Sequence, residues 1–331
     1  MKSTVPTLHI TNGDSAAGTL RTFLPDPVVI TADPLFDGPA SAGDDDAWYA
    51  QRARQLTTGG DSVRHVGAQL AAWDRAVDDA VRRGDEIVLW FEHDLFDQLL
   101  LIRMIDRIGR VVARKETAAV SLICIDRFPG IDRFIGLGQL SAAQLATLVD
   151  RKAPVTAAQF DHASVAWAAF RADDPTALAG LTGSGPLPFL GAALQRFLQE
   201  YPSTRNGLSR SAQQVLQVLD DGSMDGDRLF IATQQLEESP FIGDWGLFDV
   251  VRLLGSGAVP LVTIIPPSDG VDLRGHAVAI TDAGREVRAG RRDCVALNGI
   301  DQWRGGVHLL GERTVRWRWD DARQTLISLK A

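Results

Sequence analysis

Cysteine is scarce in this chain: 331 residues contain two, Cys124 and Cys294. So wide a separation offers neither a disulfide framework nor a multi-cysteine metal site, and a reducing cytoplasm is the expected setting. Basic residues are also short, with 34 Lys and Arg against 42 Asp and Glu and a net charge of −8. That balance disfavours non-specific attraction to nucleic acid or anionic lipid, since each needs a basic face. No apolar run approaches the ~20 residues of a spanning helix, and MKSTVPTLHI lacks the apolar core of a signal peptide. A soluble protein without membrane association is therefore expected. Two nucleotide signatures are missing as well, the Walker-type lysine and the GxGxxG spacing, so the motifs name no cofactor.

What is present is an ordinary globular composition, 45% hydrophobic and 23% charged, long enough for two or three domains. Short apolar runs at Leu8–Thr11, Pro27–Thr31, Glu86–Phe91 and Ala119–Ile125 read as strands covered on both faces. Helical patterns lie between them, at 15–24, 46–56, 62–83 and 95–110. This alternation predicts an α/β N-terminal domain, residues 1–137, with a Rossmann-like parallel sheet. Residues 138–203 read as a purely helical connector, with Ser141 and Thr156 as caps and Trp167, Phe170, Phe189 and Phe197 facing a core. Residues 204–331 read as a winged-helix-like α+β domain with a strand and loop tail, its three helices preceding a ribbon that turns at PPSDGVDLRG.

Ligands of parallel sheets bind beyond the carboxyl ends of the strands. Those ends carry Asn12-Gly13-Asp14-Ser15, then Asp33, then Glu92-His93-Asp94 followed by Gln98, then Asp126-Arg127. The NGDSAAG turn has three readings: a helix capped by Asp14 or Ser15, a cradle in which Gly13, nearby amides and Ser15 hold a small anionic ligand such as phosphate, or a nucleophile. GDSAAG is similar to the GDS block of SGNH-type esterases. That resemblance implies Ser15 as nucleophile, His93 as base and Asp94 or Asp126 to orient it. It covers this block alone, and the DxxH pair near that family's C-terminus is absent. Glu92-His93-Asp94 also admits a metal, with Asp14 or Asp33 as further ligands, and oxygen donors suit magnesium or manganese better than zinc. Arg127 is placed to grip an anionic substrate, and Gln98 to reach back into the cleft. Ordinary loop polarity is the plain alternative to all of these.

In the C-terminal domain the third helix, DWGLFDVVRLLGSG, carries one Arg and two Asp. It is a poor reader of bases, so sequence-specific DNA binding is not expected. Trp245 and Phe248, three apart, are expected to share one helical face suited to burial against the helical connector or a second subunit, and the domain is open to a protein partner or homo-oligomer. Between Arg285 and Arg323 nine arginines face six carboxylates, a modest excess for a phosphate backbone or another domain.

The blocks HITNGDSAAGTL, DPLFDGP, WFEHDLFDQLLL, LPFLGAALQRFLQEYPSTRNGLS and TDAGREVRAG together resemble a bacterial family known as domain of unknown function 1835. The resemblance spans nearly the whole chain and implies the fold, but brings no activity with it. Three classes of function stay open: an enzyme or small-ligand binder, a ligand-sensing regulator, and an interaction scaffold.

Overall fold

A computed structural model describes residues 5–57, 61–112, 119–266, 270 and 272–329. The chain divides into two compact units: residues 1–194 with 305–307, and residues 195–304 with 308–331.

The first unit is mixed α/β, built on a five-stranded sheet. Strand β1 (Thr7–Thr11) leads into helix α1 (Asp14–Leu20), and β2 (Val28–Ile30) follows. After helices α2 (Asp45–Leu56) and α3 (Val63–Arg83) come β3 (Glu86–Glu92), helix α4 (Leu95–Val112) and β4 (Val120–Ile125). The order across the sheet is β2-β1-β3-β4, all parallel, closed at one edge by the antiparallel pair Ala153–Pro154, β5. From β1 the chain first steps to one side and then crosses to the other. The carboxyl ends of β1 and β3 therefore flank the point where the strand order reverses, which is where such sheets leave a crevice. Register brings Thr11 opposite Trp90 and Glu92 opposite Ile125.

Continuous apolar sequence explains the middle of the sheet: Ile87 to Phe91 of β3 are all buried, as strands covered on both faces require. Helix α4 is buried almost all round, so its charged residues need partners within the protein. Asp74 and Asp78 of α3 supply them to Arg103 and Arg107. Ser62 caps α3, and Gly84, at φ 77°, ends it in a left-handed turn.

Two expectations are corrected here. The 138–203 stretch is not purely helical, because Ala153–Pro154 adds the edge strand. The residue before a proline favours an extended backbone, and an edge tolerates the missing N–H. Neither Asp14 nor Ser15 caps α1: Gly13 holds the N-cap position at φ 57°, ψ 161°, with no side-chain bond. That conformation is close to glycine-only, and a Cβ there would meet nothing within 4 Å. Gly13→Ala should therefore cost about 1–3 kcal/mol through the backbone alone. Urea denaturation measures it, and an unchanged midpoint would show the glycine to be incidental.

In the second unit, helices Arg210–Val218, Gly226–Gln234 and Asp244–Ser256 precede the antiparallel strands Val262–Ile265 and Ala277–Ile280. Met224–Asp225, between the first two helices, pairs with the second of those strands. Leu216, Leu247, Phe248, Val251 and Val278 are in its core. Phe248 is buried, but Trp245 is 49% exposed, with the Arg274 guanidinium 5.9 Å from its ring centroid. The shared buried face expected for the two does not form. Three residues turn a helix by about 300°, enough to carry Trp245 past the edge of a narrow core-facing stripe. Arg252 is engaged by Asp249 on its own helix. Among the described residues, Arg285 and Arg288 pair with Asp220, Arg291 with Glu286, Arg318 with Asp293, and Arg323 with Asp320.

Candidate functional site

The β1–β3 crevice is built from the two turns singled out in the sequence. The Asn12 amide, just past β1, donates to Glu92 Oε1 at 3.1 Å and also to the Asp97 carboxylate. Asp97 lies in the first turn of α4, where its Oδ1 accepts from the Glu92 backbone N–H at 2.9 Å. Asp94 precedes that helix, and its Oδ1 accepts from the Asp97 N–H at 3.0 Å, the geometry of an N-cap. The second Glu92 oxygen accepts from the Leu137 N–H. One strand end, one helix start and the loop at 136–138 thus meet on Asn12 and Glu92.

Two glycines allow that loop to come so close. A Cβ on Gly136 would lie 2.7 Å from Glu92 Oε1, and one on Gly138 would lie 2.9 Å from Ser15 Oγ. The hydroxyl of Ser15 donates to the Gly138 carbonyl at 3.3 Å.

The electrostatics of the cluster are unusual. Glu92, Asp94 and Asp97 are all buried, and one carboxylate oxygen from each lies within 4.8 Å of the others. Their hydrogen bonds come from Asn12 and from backbone amides, not from a lysine or an arginine. Burial pushes Glu92 up to about 7, against the pull of the Leu137 and Asn12 hydrogen bonds. Burial, and then the charge on Glu92, holds Asp94 and Asp97 well above the usual carboxylate range. Three carboxyl groups this close and this dry cannot all be charged by themselves; they keep protons or share a cation. Oxygen ligands at such separations suit a divalent ion of the magnesium or manganese type.

Gln98 borders the cluster. Its Nε2 donates to the Glu92 carbonyl at 2.6 Å, while its Oε1 is buried without a partner. Nearby, burial pushes the Cys124 thiol up, so Cys124 is no thiolate nucleophile.

The remaining candidates are distributed differently. Asp14 is exposed in the first turn of α1. His93 is half-buried, its ring 6.1 Å from Phe134 and 6.2 Å from the half-buried Phe189. Burial lowers its pKa, with Asp126 and the Ile125 backbone pulling it back up, and its Nδ1 has no hydrogen-bond partner. The Ser15 hydroxyl is bonded to the Gly138 carbonyl rather than to His93. Asp33 is buried against Arg52, which contacts both of its carboxylate oxygens. Arg127 is exposed and bidentate on its neighbour Asp126.

Sequence reasoning paired the right turns but passed over Asp97 and the Gly136–Gly138 loop. The motif EHDLFDQ offered a signal for Asp97, since a carboxylate in the first turn after an Asp N-cap points back at the preceding strand end. Among the described residues no helix is long and apolar enough to cross a membrane. No family model and no curated protein matches the chain.

Proposed function

We propose that the first unit binds a small ligand at the β1–β3 crevice, through an oxygen-ligated divalent cation held by Glu92, Asp94 and Asp97. The observation that carries this reading is the clustering of three buried carboxyl groups, two of them bonded by Asn12, with no basic side chain bonded to any of them among the described residues. A cation would relieve the repulsion that raises their pKa values and would present a positive centre to an anionic group. Without it the crevice repels anions. The seven-residue α1, capped by Gly13 rather than a side chain, adds little dipole of its own. The Rossmann-like strand order and the resemblance to domain of unknown function 1835 are consistent with such a site and name no reaction. A serine-hydrolase reading loses its main geometric support, because Ser15 is bonded to Gly138 and His93 lies between aromatic rings.

Calorimetric titration of the chelator-treated chain with Mg2+, Mn2+, Ca2+ and Zn2+ tests the proposal. Saturable binding of Mn2+ or Mg2+ is expected, with Zn2+ no better, and it should weaken at least about tenfold in Asp97→Asn. No heat with any ion, together with a higher melting temperature in Asp97→Asn, would show a self-contained cluster sharing protons.

The second unit supports a further reading. Its order of helix, strand, two helices and a two-stranded ribbon resembles that of a winged helix, which supports reading it as a protein-contact module that reports on the sheet domain. Asp244 and Asp249 oppose phosphate, and Arg252 is already paired with Asp249. Exposed Trp245 and Leu253 suit a protein partner or a second copy of this chain.

A further inference from the structure

A second polar feature of the first unit lies apart from the acidic crevice. Where α2, α4 and the helix Ala157–Phe170 come together, a cleft of about 260 Å³, counting the part open to solvent, is lined by Trp48, Trp167, Arg103, Arg107, Arg110 and Arg171. We propose that this cleft is a binding site for a small oxyanion, a phosphate group above all.

The argument rests on how the four guanidinium groups are balanced. Arg103 is held by Asp74 at 2.6 Å, Arg107 by Asp78 at 2.8 Å and Asp74 at 2.9 Å, and Arg110 by Asp106 at 2.9 Å. Arg171 is different. Its hydrogen bonds go to the carbonyls of Ser41, at 2.9 and 3.2 Å, and Gly43, at 3.1 Å, and it forms no ion pair among the described residues. Carbonyl dipoles fix its direction without neutralising its charge. Its guanidinium lies 5.3 Å from the Trp48 ring centroid and 5.5 Å from that of Trp167, and Arg103 lies 5.4 Å from Trp48. Burial above all, with the charges of Arg110 and Arg103 adding and Asp106 and Asp45 opposing, pulls the Arg171 pKa below the ordinary arginine range.

A second observation points the same way. Trp48 is 5% exposed, and its indole N–H is buried without an acceptor. Sealed from solvent, that donor gains an acceptor only from an anion that enters beside the indole. An oxyanion offers several acceptor oxygens and matches the planar fork of Arg171 and Arg110. The one carboxylate lining the cleft is Asp45, about half exposed and 3.1 Å from Arg107. A bound anion therefore takes the Arg110 and Arg171 guanidinium groups in competition with Asp45, whose charge also acts on Arg171. With most of the cleft open to solvent, the rest of a phosphorylated molecule would extend outward.

The plain alternative is that cation–π stacking and the carbonyl bonds merely clamp α2 to its neighbours. The two are separated by titrating the full chain with inorganic phosphate in chelator, at constant ionic strength set with NaCl, and reading the heat of binding. Excluding divalent ions keeps this result independent of the acidic crevice. Saturable binding is expected, weakened about tenfold or more in Arg171→Gln and in the half-exposed Arg110→Gln, and unchanged in Asp97→Asn. Tighter binding of adenosine monophosphate than of phosphate would assign the site to a phosphorylated molecule, and equal affinity to the free ion. Absence of saturable heat in the unmodified chain, or phosphate binding that survives Arg110→Gln at full strength, overturns the proposal. Should Arg171→Gln fail to fold, Arg110→Gln still decides, because its side chain is at the surface.

Discussion

Raising the pH from 5 to 8 in the presence of a chelator should destabilise the first unit by about 3 kcal/mol. Glu92 is the source. Its pKa rises from an ordinary 4.5 to about 7 on folding, so between those values the folded chain holds a proton that the unfolded chain has released. Stability then falls with rising pH, and the contribution is complete below about 4.5 and gone above about 7. A shift of this size corresponds to roughly 3 kcal/mol at 1.36 kcal/mol per unit. Asp94 and Asp97, both raised, act with the same sign. Below that window a depressed carboxylate takes over in this unit, since the Arg127 hydrogen bond lowers the pKa of Asp126, whose stabilising effect is lost on acidification. His9 and His93, whose pKa values burial lowers, act with the opposite sign to Glu92 and offset part of the fall with rising pH. Urea denaturation across the pH range measures the slope, and Glu92→Gln should flatten it. Mn2+ or Mg2+ should reverse it, because an ion displaces the protons and binds better as they leave. A slope that is the same in Glu92→Gln and in the original chain would place the titrating groups elsewhere.

Much of the sheet was legible because strands covered on both faces carry uninterrupted apolar sequence. Leu8–Thr11 and Glu86–Phe91 lie within one residue at each end of the observed β1 and β3. The turns after these strands can meet only if the strands are neighbours, and the parallel β1–β3 pairing supplies that condition. Distant pairings were less accessible. The strand-end position of Asp33 suggests a ligand, yet nothing in RARQL, nineteen residues on, announces that Arg52 will be buried against it. Polarity at a strand end reveals where a residue lies, not which partner folding brings to it. The same holds for Arg127, whose neighbour Asp126 satisfies it locally. Two-residue strands such as Ala153–Pro154 have too little sequence to show a period at all.

Replacing Arg52 with methionine should destabilise the chain by about 3–5 kcal/mol, the cost of stranding a buried charge. The Arg52 side chain is fully buried, and every one of its N–H donors has an acceptor. Nε contacts Asp33 Oδ1 and Oδ2 at 3.1 and 3.0 Å, NH1 the carbonyls of Asp37 and Pro39 at 2.7 and 3.1 Å, and NH2 Asp33 again together with the Pro34 carbonyl at 3.2 Å. One guanidinium thus fastens the segment from 33 to 39, which leaves the carboxyl end of β2, onto helix α2. Methionine fills similar volume but leaves the Asp33 carboxylate without its donor and removes one bond from each of three carbonyls, of which Pro34 keeps the Asp37 N–H. The double variant Arg52→Met, Asp33→Leu should recover part of the loss, because it removes the uncompensated charge while those carbonyl bonds stay lost. Urea denaturation of the four chains gives the coupling, and a loss below about 1 kcal/mol in Arg52→Met would mean that water replaces the guanidinium at little cost. The same series separates the structural aspartate from the proposed cation ligands. Asp33→Asn should lower stability and leave Mn2+ affinity untouched, whereas Asp97→Asn should do the reverse.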